Sequence, residues 1–115
     1  MLARENRLIS AEDFRTTMRT GSKIASANLV TYTKQTDSGL PARFGFVVAK
    51  TVGNAVVRNS VKRRLRAIAR NELTNLSTNW MVVVRALETA GSASFDQLNQ
   101  ELSTAVKAAS DRSTK

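Results

Sequence analysis

Between Gly53 and Arg70 the chain reads GNAVVRNSVKRRLRAIAR, eighteen residues with six basic side chains and no acidic one. No other stretch narrows the possible folds as much. At about 100° per residue, Val57, Val61, Leu65 and Ile68 fall within one narrow arc. Arg58, Lys62, Arg66 and Arg70 recur at four-residue spacing and make one ridge beside or opposite that arc. A helix over about 55–73 must therefore press its aliphatic arc onto an apolar surface and leave its ridge in water. Asn59 and Arg63 extend the same polar surface, and Arg64 lies nearer the core edge, where its stem can snorkel. Asn54 is placed to cap the helix after the break at VGN.

The rest of the chain supplies the surface that the helix needs. Residues 10–20 read as a short helix, with Ser10 and Asp13 at capping-box positions and Ile9 and Phe14 at those of a hydrophobic staple. Gly21 fits a left-handed stop after it, and Phe14 and Met18 share one face. Residues 24–35 alternate like a single strand, TDSGLP is turn chemistry, and 43–50 reads as a central strand. Gly45 in that strand signals a bulge or a close backbone approach. Residues 80–86 suggest another buried strand, with Trp80 in the core or at the sheet edge. Ser94 and Gln97 make a second capping box ahead of Phe95, Leu98, Leu102, Val106 and Ala109 at helical spacing. The order helix, strand, strand, helix, strand, helix predicts a small α+β sandwich, helices packed on a sheet. At 115 residues one domain is expected, with frayed ends at about 1–5 and 110–115.

Charge narrows the function. Of the net +9, residues 38–71 carry eight basic side chains and no acidic one; the remainder nearly balances. Like charges at four-residue spacing cost a helix a few tenths of a kcal/mol per pair. A helix selected only for solubility would interleave acids. The ridge therefore reads as a phosphate-binding surface, because guanidinium groups grip phosphate oxygens bidentately and displace condensed counterions. Three readings fit a basic helix: an RNA-binding subunit, a ribosomal or DNA-binding module, and a membrane-surface protein. The third is weakest, since the apolar arc is narrow and aliphatic. There is no cysteine and no histidine, so the usual zinc ligands and the usual neutral-pH general base are missing. The nine acids form no tight cluster of the kind a two-metal nuclease needs. The adjacent Glu12 and Asp13 suit a first helical turn, where acids favour the macrodipole. No run of about 18 apolar residues and no secretory leader is visible, which suggests a cytoplasmic location.

The segment GNAVVRNSVKRRLR closely resembles the RNR signature of the bacterial ribonuclease P protein subunit, through Gly53, Asn54, Ala55, Val56, Arg58, Asn59, Lys62, Arg63, Leu65 and Arg66. NRLISAEDFRTTMRTG is similar to that family's first helix, FGFVVAKTVGNA to the strand leading into the signature, and MVVVRAL to the strand after it. Ser60 stands where the family usually has a basic residue, and Met18 where it often has a second aromatic. The resemblance implies a sheet of about four strands with a left-handed βαβ crossover, a ribosomal protein S5 domain 2-like fold. It implies a subunit that joins a catalytic RNA, one protein per RNA, and binds precursor tRNA, with no membrane partner. Magnesium would be bound chiefly by the RNA, which would cut the 5′ leader; the protein alone would be inactive.

The expected RNA-binding residues are Arg58, Asn59, Lys62, Arg63, Arg66 and Arg70. The expected leader-binding residues are Phe14, Met18, Arg19, Tyr32, Lys50 and Arg85; no catalytic or metal-binding residue is expected. Phe14 and Tyr32 offer stacking surfaces, although Phe14 serves equally well as a core residue through its staple. Arg85 interrupts an apolar strand and needs a partner, RNA or Glu88.

Overall fold

The structure, a computed structural model, describes residues 2–113. Helix α1 spans Ala11–Thr20, followed by strands β1 (Ser22–Ala25), β2 (Leu29–Gln35) and β3 (Arg43–Val47). Helix α2 spans Ala55–Glu72, β4 Trp80–Ala86 and α3 Phe95–Ser113. The sheet order is β1-β2-β4-β3. The first two pairings are antiparallel and β3 runs parallel to β4, so α2 is the crossover between two parallel neighbours.

Alternation along the strands sorts the side chains into two faces. Leu29, Phe44, Val82, Val84 and Ala86 pack with Val61, Leu65 and Ile68 of α2 and Leu98, Leu102 and Val106 of α3. Val30, Tyr32, Met81 and Val83 point the other way and pack with Leu8, Phe14 and Met18. Two long helices cover one face, and the other has only the ten residues of α1.

The caps follow the expected chemistry. Asn54 Oδ1 accepts from the Val57 amide at 3.0 Å. Ser94 Oγ accepts from Gln97 N at 3.1 Å while Gln97 Oε1 accepts from Ser94 N at 2.9 Å, a reciprocal capping box. Ser10 Oγ accepts from Asp13 N at 3.3 Å.

Several local expectations are corrected. The single strand over 24–35 is a hairpin, broken where Ser26 N donates to Leu29 O at 2.8 Å. That break produces the fourth strand, and Glu101 of α3 holds it. Its carboxylate accepts from Asn28 N at 2.8 Å, from Asn28 Nδ2 at 2.6 Å and from the Ser26 hydroxyl. Burial pushes the Glu101 carboxyl up, but these hydrogen bonds outweigh it and hold it below the usual carboxylate value. Gly21 ends α1 in extended backbone, φ −77°, not in a left-handed turn. Its missing side chain serves close approach, because a Cβ there would sit 2.5 Å from Thr17 O and 2.7 Å from Thr33 O. Leu8, not Ile9, is buried in the cluster against which Phe14 packs; Ile9 stays 71% exposed. Phe95, expected in the α3 stripe, is exposed.

The N-terminus is more ordered than expected. Leu2 lies in the main core cluster at 1% exposure. Arg7 bridges Phe44 in parallel register, with Leu8 N donating to Phe44 O at 2.8 Å and Asn6 Nδ2 to Ala42 O at 2.9 Å. These few residues cover the outer edge of β3. At the other end α3 continues through Ser113, while residues 1, 114 and 115 of the expected frayed ends lie outside the described residues.

Candidate nucleic-acid interface

Helix α2 buries Val61, Leu65, Ile68 and Ala69 and turns its cations outward. Asn59, Arg63, Arg66 and Arg70 are exposed, and Arg58 and Lys62 are half-buried. At about 1.5 Å rise per residue, Arg58 and Arg70 are about 18 Å apart along the axis. Among the described residues only Arg64 of these cations finds a protein acceptor, donating from Nη1 to Ala93 O at 3.2 Å, as its place at the core edge suggested. Glu72 at the end of the helix is buried and accepts from Asn75 Nδ2 at 3.1 Å, not from the ridge. The Arg43–Asp13 ion pair, 3.4 Å, lies on the other face of the sheet. The ridge is thus a row of unneutralised donors on a rigid element, the arrangement that binds a polyanion.

The face carrying α1 contains most of the expected leader-binding residues. Lys23, Tyr32, Val83 and Gly45 lie in one cross-strand row. The Phe14 ring presses onto Gly45 so closely that any Cβ there would overlap it. Thus Gly45 marks a close approach, and it is the ring of Phe14 that comes close. Met18 is half-buried beside it, and Arg19 is exposed in the last turn of α1. The next row is Val30, Arg85 and Val47. Arg85 is exposed and makes no ion pair with Glu88, although both line a cavity of about 480 Å³ at the strand ends. Lys50 is exposed in the short turn that follows β3.

Tyr32 differs from expectation. The sequence offers it as a stacking surface, but it is 7% exposed, packed between Val30, Met81 and Val83. It forms the floor of this surface and does not present a free ring. The half-buried Phe14 edge and Met18 are the more accessible apolar groups.

Sequence reasoning passed over Arg7. Its sequence neighbours are unremarkable, and only the bridge to Phe44 carries it to the edge of α2, where it lines a cavity with Arg63 and Arg66. No local pattern could have found a contact between residues so far apart in the chain.

Among the described residues no three His, Cys, Asp or Glu side chains converge on a point that could hold a metal ion. No helix among them is long and apolar enough to cross a membrane.

Residues 2–110 match the family model for Ribonuclease P. The chain is 46% identical over 112 residues to the ribonuclease P protein component of Pseudarthrobacter chlorophenolicus, covering 97% of this chain and 82% of that one. It is 46% identical to the corresponding component of Streptomyces avermitilis, covering 93% and 94% of the two chains. Its fold is similar to the Staphylococcus aureus RNase P protein, with TM-score 0.81 and 27% identity over 90% of this chain and 94% of that one. The Thermotoga maritima RNase P protein superposes with TM-score 0.76 at 23% identity, covering 88% and 94%, a likeness of fold.

Proposed function

Because this chain belongs to the ribonuclease P protein family, we propose that it is the subunit that binds a catalytic RNA and the 5′ leader of precursor tRNA, so that the RNA removes the leader. The unneutralised ridge of α2 is the observation that carries this reading. Arg58, Asn59, Lys62, Arg63, Arg66 and Arg70 contact RNA phosphates, and their spacing follows a backbone without reading bases. Phe14, Met18, Arg19, Tyr32, Lys50 and Arg85 guide the unpaired leader across the sheet face. There Phe14 and Met18 supply apolar contact, Tyr32 supports them from below, and the cations hold the strand.

The chemistry belongs to the RNA and its magnesium. The chain has no histidine or cysteine, and three of its nine acids are engaged elsewhere: Asp13 with Arg43, Glu101 with the hairpin and Glu72 with Asn75. That no three His, Cys, Asp or Glu side chains converge among the described residues supports a protein that contributes position and charge.

Reconstitution with a bacterial ribonuclease P RNA and a labelled precursor tRNA tests this directly. The RNA alone should cleave slowly at high magnesium, the mixture should cleave fast at lower magnesium, and the protein alone should not cleave. Robust cleavage by nuclease-free protein without RNA would overturn it.

A further inference from the structure

The two halves of the interface meet at the β3 edge. A cleft of about 150 Å³ opens there, with Phe14, Gly45 and Phe46 in its floor and Arg7, Lys62 and Arg66 around it. A second cavity, of about 440 Å³, adds Arg63 beside Arg7 and Arg66. Neither is lined by a carboxylate. Arg7 is held in place by the Leu8–Phe44 backbone bond and by its own Nε, which donates to Leu2 O at 3.1 Å. That bond satisfies Nε, and among the described residues neither Nη group has a protein acceptor.

Resting on the proposed function, we propose that Arg7 joins Lys62 and Arg66 to clamp one RNA phosphodiester over the β3 edge, at the point where a strand passes from the α2 ridge to the α1 face. Three cations from two distant parts of the chain converge on a cleft without an acid, and a bound anion would relieve their mutual repulsion. The cleft has the volume of about five waters, room for a phosphate and its hydration. The adjoining base lies outside, towards Phe14.

The phosphate can come from the catalytic RNA or from precursor tRNA, and salt titrations separate the two. Wild type, Arg7→Ala and, as a control on α3, Lys107→Ala are titrated against the catalytic RNA alone. The assembled holoenzymes are then titrated against precursor tRNA. Arg7→Ala should weaken binding about tenfold and lower the log-affinity against log-salt slope by about one. A change with the catalytic RNA assigns the phosphate to it; a change confined to precursor tRNA assigns it to the substrate. Either supports the clamp, and Lys107→Ala should do neither. Arg7→Ala combined with Arg66→Ala should lose less than the sum of the single losses, because the two share one phosphate. Unchanged affinity and slope in both titrations, or fully additive losses, would overturn the clamp. Should Arg7→Ala fail to fold, Arg7→Lys and Arg7→Gln both lose the guanidinium Nε–H yet keep a donor that can reach Leu2 O, and only the lysine should retain affinity. Wild-type holoenzyme cleavage is the reference: its absence counts against the proposed function, whereas a neutral Arg7 in an active holoenzyme counts against the clamp alone.

Discussion

Helices α2 and α3 have nearly the same length, 18 and 19 residues, and do the same structural work. Each buries an aliphatic stripe in one cluster on the same face of the sheet. Their charges differ. Helix α2 carries six basic side chains and one acid, and α3 two basic side chains and three acids. One of the α3 acids, Glu101, ties down the hairpin between β1 and β2. The fold therefore accommodates a long helix with mixed charge, so nothing in the packing of α2 requires its ridge to be cationic. Residues that face the sheet answer to the fold, and the outward face of α2 is the one proposed above to meet RNA.

The largest effect should come from removing that difference. Replacing Arg58, Lys62, Arg66 and Arg70 together by glutamine gives α2 a charge like that of α3. RNA affinity should fall on the order of a thousandfold, with the salt slope reduced by about four. Stability should hold or rise by about 1 kcal/mol, since three repulsive pairs at four-residue spacing disappear. Filter binding and thermal melting on one preparation read both. A variant that unfolds would mean the ridge is structural after all.

A smaller effect tests the likeness of the two helices. Leu65 in α2 and Leu102 in α3 are fully buried in the same cluster. Leu65→Ala and Leu102→Ala should each cost about 3 kcal/mol in urea unfolding, within about 1 kcal/mol of each other. A much smaller cost at Leu65 would show α2 to be the looser element, and its rigidity as a platform for cations would be in doubt.

How far these features could be read in advance depended on the range of the interactions involved. Helices α2 and α3 were legible because both their periodicity and their caps are local: Asn54 and the Ser94–Gln97 pair lie within one turn of what they cap. Strand β4 was legible as an apolar run bounded by Asn79 and Leu87. The β1–β2 hairpin was not, since Ser26 to Asn28 continue the alternation and the group that breaks it, Glu101, lies more than seventy residues away. Gly21 was recognised as a helix stop for the wrong reason, because the backbone that crowds it belongs partly to Thr33. In the interface, the cations of α2 were visible as a pattern on one helix. Arg7 reaches them only through a strand-edge bridge, and the burial of Tyr32 follows from neighbours on both adjoining strands and from α1. Contacts between distant segments leave no period in the sequence.

The smallest expected effect concerns the α3 acid that has no counterpart on the α2 ridge. Glu101 accepts three hydrogen bonds from Ser26 and Asn28, and its carboxyl is held below its ordinary value of 4.5. A carboxyl with a lower value folded than unfolded stabilises the fold fully above its unfolded value. That contribution fades as pH falls from about 4.5 through the depressed value. Glu101→Gln keeps one carbonyl oxygen for Asn28 N and Ser26 but sets an amide N–H₂ against Asn28 Nδ2, donor against donor. At pH 7 the variant should be less stable by about 1 kcal/mol, a modest loss because the site is partly exposed to water. Between about pH 5 and 3, wild type should lose stability more steeply than the variant, by up to one proton in the linkage slope, so the two curves converge. RNA affinity at neutral pH should stay the same, since the β1–β2 hairpin lies at the opposite edge of the sheet from β3. Parallel curves over that range would mean the carboxylate is free of the hairpin in solution, and the fourth strand would then owe its place to β2 alone.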